Sequence, residues 1–430
     1  MDLPSFFNEE KSFRSLGILD TPNLLEGALL TNERLQRIVM VALALGVLVI
    51  GLFSVVALFQ FTSWLFSSPM DDGLTIRSDS DFKKHNLPGS GIIDDPYLIS
   101  GDSFKKKWEG ILVRDTTLHF IIRDCFFKEC HEGIRLENVA NGTAKIINNQ
   151  IEYGYAPEVG GNAGVIIKSS NSVLIANNTI ISAGVSGISM EGAEACLVLN
   201  NTISQNVDGI ELEGCPSSVI ANNTFYQNLN SISCIKSNFL KIADNVCKEN
   251  DGKSITLIAS NFTIVSRNKC INEFDTIING EGIDIGFSFN CTITDNEIIN
   301  CGYGIHAYGT INCYFTHNFV QSNSNYAIKL VPGYNELKSE NNVIFLNAFI
   351  QNNPNGISQA SDDGLNNFWF DNESKLGNYW SDWNGSGFYA IDGSARTSDQ
   401  FPLNDLPFAP ERIFWLFSKP LKLDFFLPNS

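Results

Sequence analysis

The sequence predicts an all-β protein, a parallel β-helix of about eleven turns behind one N-terminal transmembrane helix. Three observations lead there. A short phrase, Gly-Ile-x-Leu or a variant of it, recurs with its first apolar residue at Ile111, Ile134, Val165, Ile188, Ile210, Ile232, Ile255, Ile283, Ile305, Ile328 and Ile357, in steps of 22 to 31 residues. A corner residue recurs with it, at Asp124, Asn149, Asn178, Asn201, Asn223, Asn245, Asn268, Asn296, Asn318 and Asn347. Ahead of all this, residues 38–61 form an uncharged apolar run. A period in this range signals stacked repeats, none of which can bury its apolar face alone.

The columns around the corner identify the kind of stack. Three residues before it stand Ile121, Ile146, Ile175, Val198, Ile220, Ile242, Val265, Ile293, Phe315 and Ile344; two after it stand Phe126, Ile151, Ile180, Ile203, Phe225, Cys247, Cys270, Ile298, Val320 and Phe349. All are apolar. Within the recurring phrase the inward residues are two apart, as in Ile210 and Leu212. Period two with β-branched residues is a strand pattern. A leucine-rich horseshoe would need its Leu ladder and a helical side, and neither is present. Three short strands per turn fit best. Asn suits the corners because it tolerates left-handed backbone and bonds its own chain. Stacked every ~4.8 Å, such residues form a side-chain ladder.

Taken from the N-terminus, residues 1–37 are expected to be a cytoplasmic segment. The apolar run 38–61 is long enough to span a bilayer and longer than the core of a signal peptide. Arg34 and Arg37 precede it, Asp71 and Asp72 follow it, and no Lys or Arg intervenes before Arg77. That bias places a single-pass anchor in the cell membrane with the repeats outside. After a linker at 62–73, residues 74–109 read as a lead-in strand and cap that shields the first turn from edge pairing. The β-helix is assigned to 110–370, a C-terminal cap to 371–408 and an aromatic tail to 409–430. The longer steps mark loops near 153–161, 273–280 and 332–342. The tail is too short to span a membrane; it either packs over the open end or touches a membrane surface.

Charged residues are 18% of the chain and the net charge is -18. So acidic a body argues against nucleic acid as a partner. An anionic polysaccharide would need a local basic patch or bridging cations. Of ten cysteines, Cys196, Cys234, Cys247, Cys270, Cys291 and Cys313 fall on inward columns and read as core fillers. Cys125, Cys130, Cys215 and Cys301 stay open as disulfide partners.

The repeat, with its Asn-Asn-Thr-Ile…Asn…Gly-Ile-x-Leu form, resembles the right-handed parallel β-helix surface proteins of the NosD-like, carbohydrate-binding and sugar-hydrolase type. The lead-in Asp95-Pro96-Tyr97 is similar to that of archaeal surface members. So are Gly377-Asn378-Tyr379-Trp380-Ser381-Asp382-Trp383, Tyr389-Ala390-Ile391-Asp392-Gly393 and Asp399-Gln400-Phe401-Pro402-Leu403. The resemblance covers roughly residues 74–405 and implies a right-handed coil that binds glycans or cell-envelope components. Family members often carry an Asp/Gly-rich run between the two end motifs. Here only Gly385-Ser386-Gly387 remains, so calcium is left open and not required. The name-giving members handle copper. The five histidines here, His85, His119, His131, His306 and His317, are scattered and lack a Cys-x-x-Cys or Met cluster, so copper and a native metal centre are not expected. His119 falls on the inward column of Cys196.

The x position of the phrase points outward. Down the coil it reads Arg135, Ile166, Ser189, Glu211, Ser233, Thr256, Asp284, His306, Lys329 and Ser358. Asp284, His306 and Lys329 are thereby neighbours on successive turns, with Tyr303, Tyr308 and Tyr326 beside them. Acid, imidazole, amine and rings suit a sugar site, to which Glu211 could add a carboxylate. The bland alternative is a solvated face of mixed charges. As catalysis, His306 would be a general base oriented by Asp284, with Lys329 neutralising a carboxylate. Glycan binding is expected ahead of a lyase, hydrolase or epimerase, and ahead of a purely structural stalk. Eight sequons, at Asn141, Asn177, Asn200, Asn222, Asn261, Asn290, Asn372 and Asn384, are candidates for glycosylation.

Overall fold

The computed structural model describes residues 71–152, 163–272, 280–334 and 337–408. The expected cytoplasmic segment, transmembrane run 38–61 and aromatic tail lie outside them, as do most of the two loops near 153–161 and 273–280. No helix among the described residues is long and apolar enough to cross a membrane.

Each repeat folds into three short strands, and each strand pairs in parallel with its counterparts in the neighbouring turns. In one such turn Asp208–Glu213, Val219–Ala221 and Thr224–Tyr226 go to three different sheets. The first sheet has 12 strands, from Leu74–Ile76 to Ala360–Asp362; the second has 11 and the third 12. This is a three-sheet parallel β-helix, consistent with right-handed winding. Residues of like phase stack on one another: Ile188 pairs with Ile210, Ile210 with Ile232, and Met190 with Leu212. These inward side chains are almost fully buried, as are Val198, Ile203, Ile220 and Phe225 on the other two sheets. Burial on that scale is what a turn cannot reach alone.

The corner expected of one Asn is divided between two successive residues. Asn177, Asn200 and Asn222 take the left-handed backbone, with φ of 57°, 56° and 58°. The next residues, Asn178, Asn201 and Asn223, turn inward and form the ladder. Asn201 Nδ2 donates to Asn223 Oδ1 at 3.0 Å and to the carbonyl of Ile175 at 3.0 Å, and Asn223 Oδ1 also accepts the backbone N–H of Asn201 at 2.9 Å. The series runs on through Asn347 and Asn378 to Asp399 Oδ2. Every corner thus satisfies buried backbone groups that would otherwise be orphaned.

Six sequence assignments shift. In the first full turn Asp124 takes the left-handed corner (φ 54°), so Cys125 stands at the ladder position, its N–H on Asn149 Oδ1 at 3.1 Å. Ile122 and Phe127 therefore replace Ile121 and Phe126 in the core columns. The same shift puts Phe120 in the Cys196 column and leaves His119 half-buried. At the other end Ile328 pairs with Ala360, not Ile357, which is 94% exposed; Lys329 pairs with Ser361, not Ser358. Residues 351–357 form a loop there, and its Gly356-Ile357 imitates the repeat.

All ten cysteines are buried and free of disulfides. The short helix Asp79–Lys84 closes the N-terminal end, with Phe82 stacked on Tyr97 at 4.7 Å. Trp369, Trp380 and Tyr389 close the other. Asp362 accepts the indole N–H of Trp369 at 3.1 Å and Asp399 that of Trp380 at 2.9 Å.

Candidate functional site

The outward face of the first sheet carries the site. Strands Glu281–Gly286, Tyr303–Tyr308 and Ile328–Val331 lie side by side, with Asp284 in register with His306 and His306 with Lys329. The stacked repeat alone brings the three residues together, as their spacing implies. A second outward row three residues earlier adds Glu281 beside Tyr303. Lys253, which enters the next strand back, reaches across from the turn that precedes it.

Asp284 is fully buried although it faces out from the coil, because its neighbours roof it over. Lys253 Nζ bonds Asp284 Oδ2 and stands 3.0 Å from Glu281 Oε2. His306 Nδ1 lies 3.0 Å from Glu281 Oε1 and 3.4 Å from Asp284 Oδ1. Both contacts are off the axis of an aligned hydrogen bond, so attraction between charges holds the group together. Two carboxylates thus face two cations. Burial opposes the charge on His306, but Asp284 and Glu281 hold its pKa up at about 9. Burial likewise works against ionised Glu281, and His306 and Lys253 hold it down at about 2. The Lys253 ammonium is raised by the same partners, against its own desolvation. Burial, with Asp284 close by, keeps the phenol of Tyr308 protonated, its pKa near 12. At neutral pH the cluster therefore presents donors and fixed charges rather than a free base.

Beside the cluster opens a cleft of about 350 Å³ lined by Lys253, Glu281, His306, Tyr308 and Val331 to Tyr334. Tyr308 lies across Gly286, where a Cβ would fall 2.1 Å from ring carbon Cε2. Phe287 supports that ring edge-on at 5.4 Å and stacks under Tyr334 at 6.1 Å. Tyr303 and Tyr308 flank the His306 ring at 5.4 and 5.5 Å. Lys329 Nζ stands 5.4 Å from the centre of the Tyr303 ring and 5.9 Å from that of Tyr326, and the Tyr326 hydroxyl donates to Asp392 at 3.3 Å.

Glu211 is not part of this group: it lies three strands back along the sheet and accepts from Ser186 at 3.1 Å. Lys253, Glu281 and Tyr334 belong to it and were not anticipated. The row containing Glu281 and Tyr303 repeats as regularly as the x column, so reading both outward rows would have found Glu281. Of the sequons, Asn261 is half-buried, with its amide oxygen on the N–H of Phe289 at 3.0 Å; the other seven are exposed.

A family model described as periplasmic copper-binding protein (NosD) matches residues 94–233 and 186–385. No curated protein matches the chain. Among solved structures, the Dettilon tailspike protein (gp208) is similar at 15% identity and a TM-score of 0.50, over 63% of this chain and 60% of its own length. The periplasmic alginate epimerase AlgG is 13% identical, with a TM-score of 0.47 over 70% and 83% of the two chains. The catalytic domain of a GH87 α-1,3-glucanase is 13% identical, with a TM-score of 0.45 over 73% and 71%. The chain spans about three-fifths of the tailspike, and the likeness to it concerns the fold.

Copper can be tested against the side chains present. Among the described residues, Glu281, Asp284 and His306 form the one group of three close donors. They offer a single imidazole and no sulfur, and the Lys253 ammonium already bridges the two carboxylates. The other histidines lie elsewhere: His85 on the carbonyl of Thr75, His131 stacked on Trp108 and His317 on Thr316. This donor set does not fit copper.

Proposed function

The chain belongs to the NosD family, and from that premise we propose that it is a β-helix module that binds glycans in the cleft beside His306. The observation that carries this reading is the cleft itself. Ring faces from Tyr308 and Tyr334 border charged donors and acceptors spread over successive turns, and Tyr303 lies against the His306 ring. Sugars present an apolar ring face edged by hydroxyls, and such a site matches both parts. The saturated charge cluster supports binding over turnover, since each of its carboxylates is held by cations. In this reading residues 38–61 anchor the module in the membrane and the coil stands outside the cell.

The test is affinity electrophoresis of the full-length chain through gels cast with individual polysaccharides. Retardation by at least one polymer left intact, reduced by Tyr308→Ala, is the expected result. Free migration in every gel removes the reading, and a degraded polymer would replace it with an enzyme. Alkaline extraction of native membranes tests the anchor: release of the chain into the wash would end it.

A further inference from the structure

We propose that the glycan is acidic, and that a sugar carboxylate is bound between Lys329 and His306. The inference rests on the glycan-binding reading and adds the charge of the ligand.

The argument begins with which charges are already committed. Lys253 is bound to Asp284 and Glu281, and His306 turns Nδ1 to the same two carboxylates. Lys329 differs. It is in register with His306 on the adjoining strand, yet among the described residues it forms no ion pair. Its ammonium rests near the Tyr303 and Tyr326 rings instead. Three cations therefore stand against two carboxylates, a local positive excess in a chain of net charge -18. A neutral sugar gains little from such an excess, whereas a carboxylate gains a charge-assisted bond from each cation.

The geometry agrees. With Nδ1 held by the acids, the remaining ring nitrogen of His306, Nε2, has no protein partner among the described residues. Neighbouring strands are about 4.8 Å apart, so one carboxylate can set an oxygen on His306 Nε2–H and the other on Lys329 Nζ. Buried Asp284 keeps the imidazole cationic from below. Asp392, on the Tyr326 hydroxyl, bounds the patch on its C-terminal side, so an anion is confined to the His306–Lys329 step. The acidic remainder of the surface repels polyanions, which makes any retention by one a local effect.

The experiment pairs each acidic polymer with its own neutral form: polygalacturonate, alginate and a glucuronate polymer, and each after reduction of its carboxyls to alcohols. A neutral glucan and mannan complete the set, and the full-length chain is run through each gel. The expected result is retardation by at least one polyuronate and not by its reduced form. Lys329→Met should weaken that retention about 10- to 100-fold, and Lys329→Arg should keep most of it. Equal retardation by acidic and reduced forms, or retardation by neutral polymers alone, overturns the proposal and leaves glycan binding standing. No retardation by any polymer removes both.

Discussion

Tyr308 lies flat against Gly286, so close that a methyl group on the glycine would fall 2.1 Å from its ring. The two residues sit opposite each other on paired strands, and the missing side chain of one is the seat of the other. Gly286→Ala should lift the ring out of the cleft wall and weaken polysaccharide retention about tenfold, the scale of one lost ring contact. Combined with Tyr308→Ala it should cost no more than either change alone, because both remove the same contact. A double-mutant cycle by affinity electrophoresis checks this; additive losses would contradict it.

The charge cluster makes stability depend on pH in two directions. His306 titrates near 6.5 when free and about 9 in the fold. Its contribution is complete below 6.5 and fades as pH rises through 9. Glu281 falls from 4.5 to about 2, so its contribution is present above 4.5 and is lost as pH drops towards 2. The groups facing His306 are Glu281, Asp284, Tyr303, Tyr308 and Lys329, with Lys253 behind the acids. Thermal stability should be greatest between about pH 4.5 and 6.5 and fall on the alkaline side. His306→Gln should flatten the alkaline limb; an unchanged slope would separate that limb from His306.

Lys253→Met should destabilise the fold by about 2 kcal/mol, less than for a fully enclosed pair because part of the lysine is open to water. The cause is Asp284, which the change leaves buried with only His306 for company. Lys253→Met with Asp284→Asn should recover most of the loss. Denaturant unfolding of the single and double variants measures it, and a double variant no better than the single would refute the account.

In the corner ladder, Asn223→Ala should cost about 3 kcal/mol, since it strips partners from Asn201 and from the carbonyls of Val198 and Ala221. Its neighbour behaves oppositely. Asn222 is exposed with φ of 58°, and Asn222→Gly should change stability by less than about 0.5 kcal/mol. Equal effects at the two positions would show that the division of labour at the corner is wrongly drawn.

The coil was legible in the sequence because stacking forces like residues into columns, and columns are visible without a structure. Asp284, His306 and Lys329 could be placed together for that reason. What escaped depended on a second row and on loops. Lys253 and Glu281 stand two residues before the first apolar residue of their phrases, in the same outward row as Tyr303, which was not read beside the x column; Tyr334 comes from a loop that no column announces. Ile357 was misplaced because Gly356-Ile357 imitates the repeat, while the true partner of Ile328 is the smaller Ala360. Asp124 was mistaken for a ladder residue because Asp and Asn share a liking for left-handed corners, and only the hydrogen bonds reveal which of two successive residues turns inward.

The ladder ends on Asp399, and the chemistry of that residue works like an end group on a polymer. Each amide accepts from the turn before and offers its own N–H to the next, so every asparagine calls for a successor. A carboxylate accepts and offers nothing onward. With Asn378 satisfied by Asp399, the series needs no further member. The length of the coil is thus a property that one acceptor can terminate, and turns could be added or removed upstream of it without rewriting either cap.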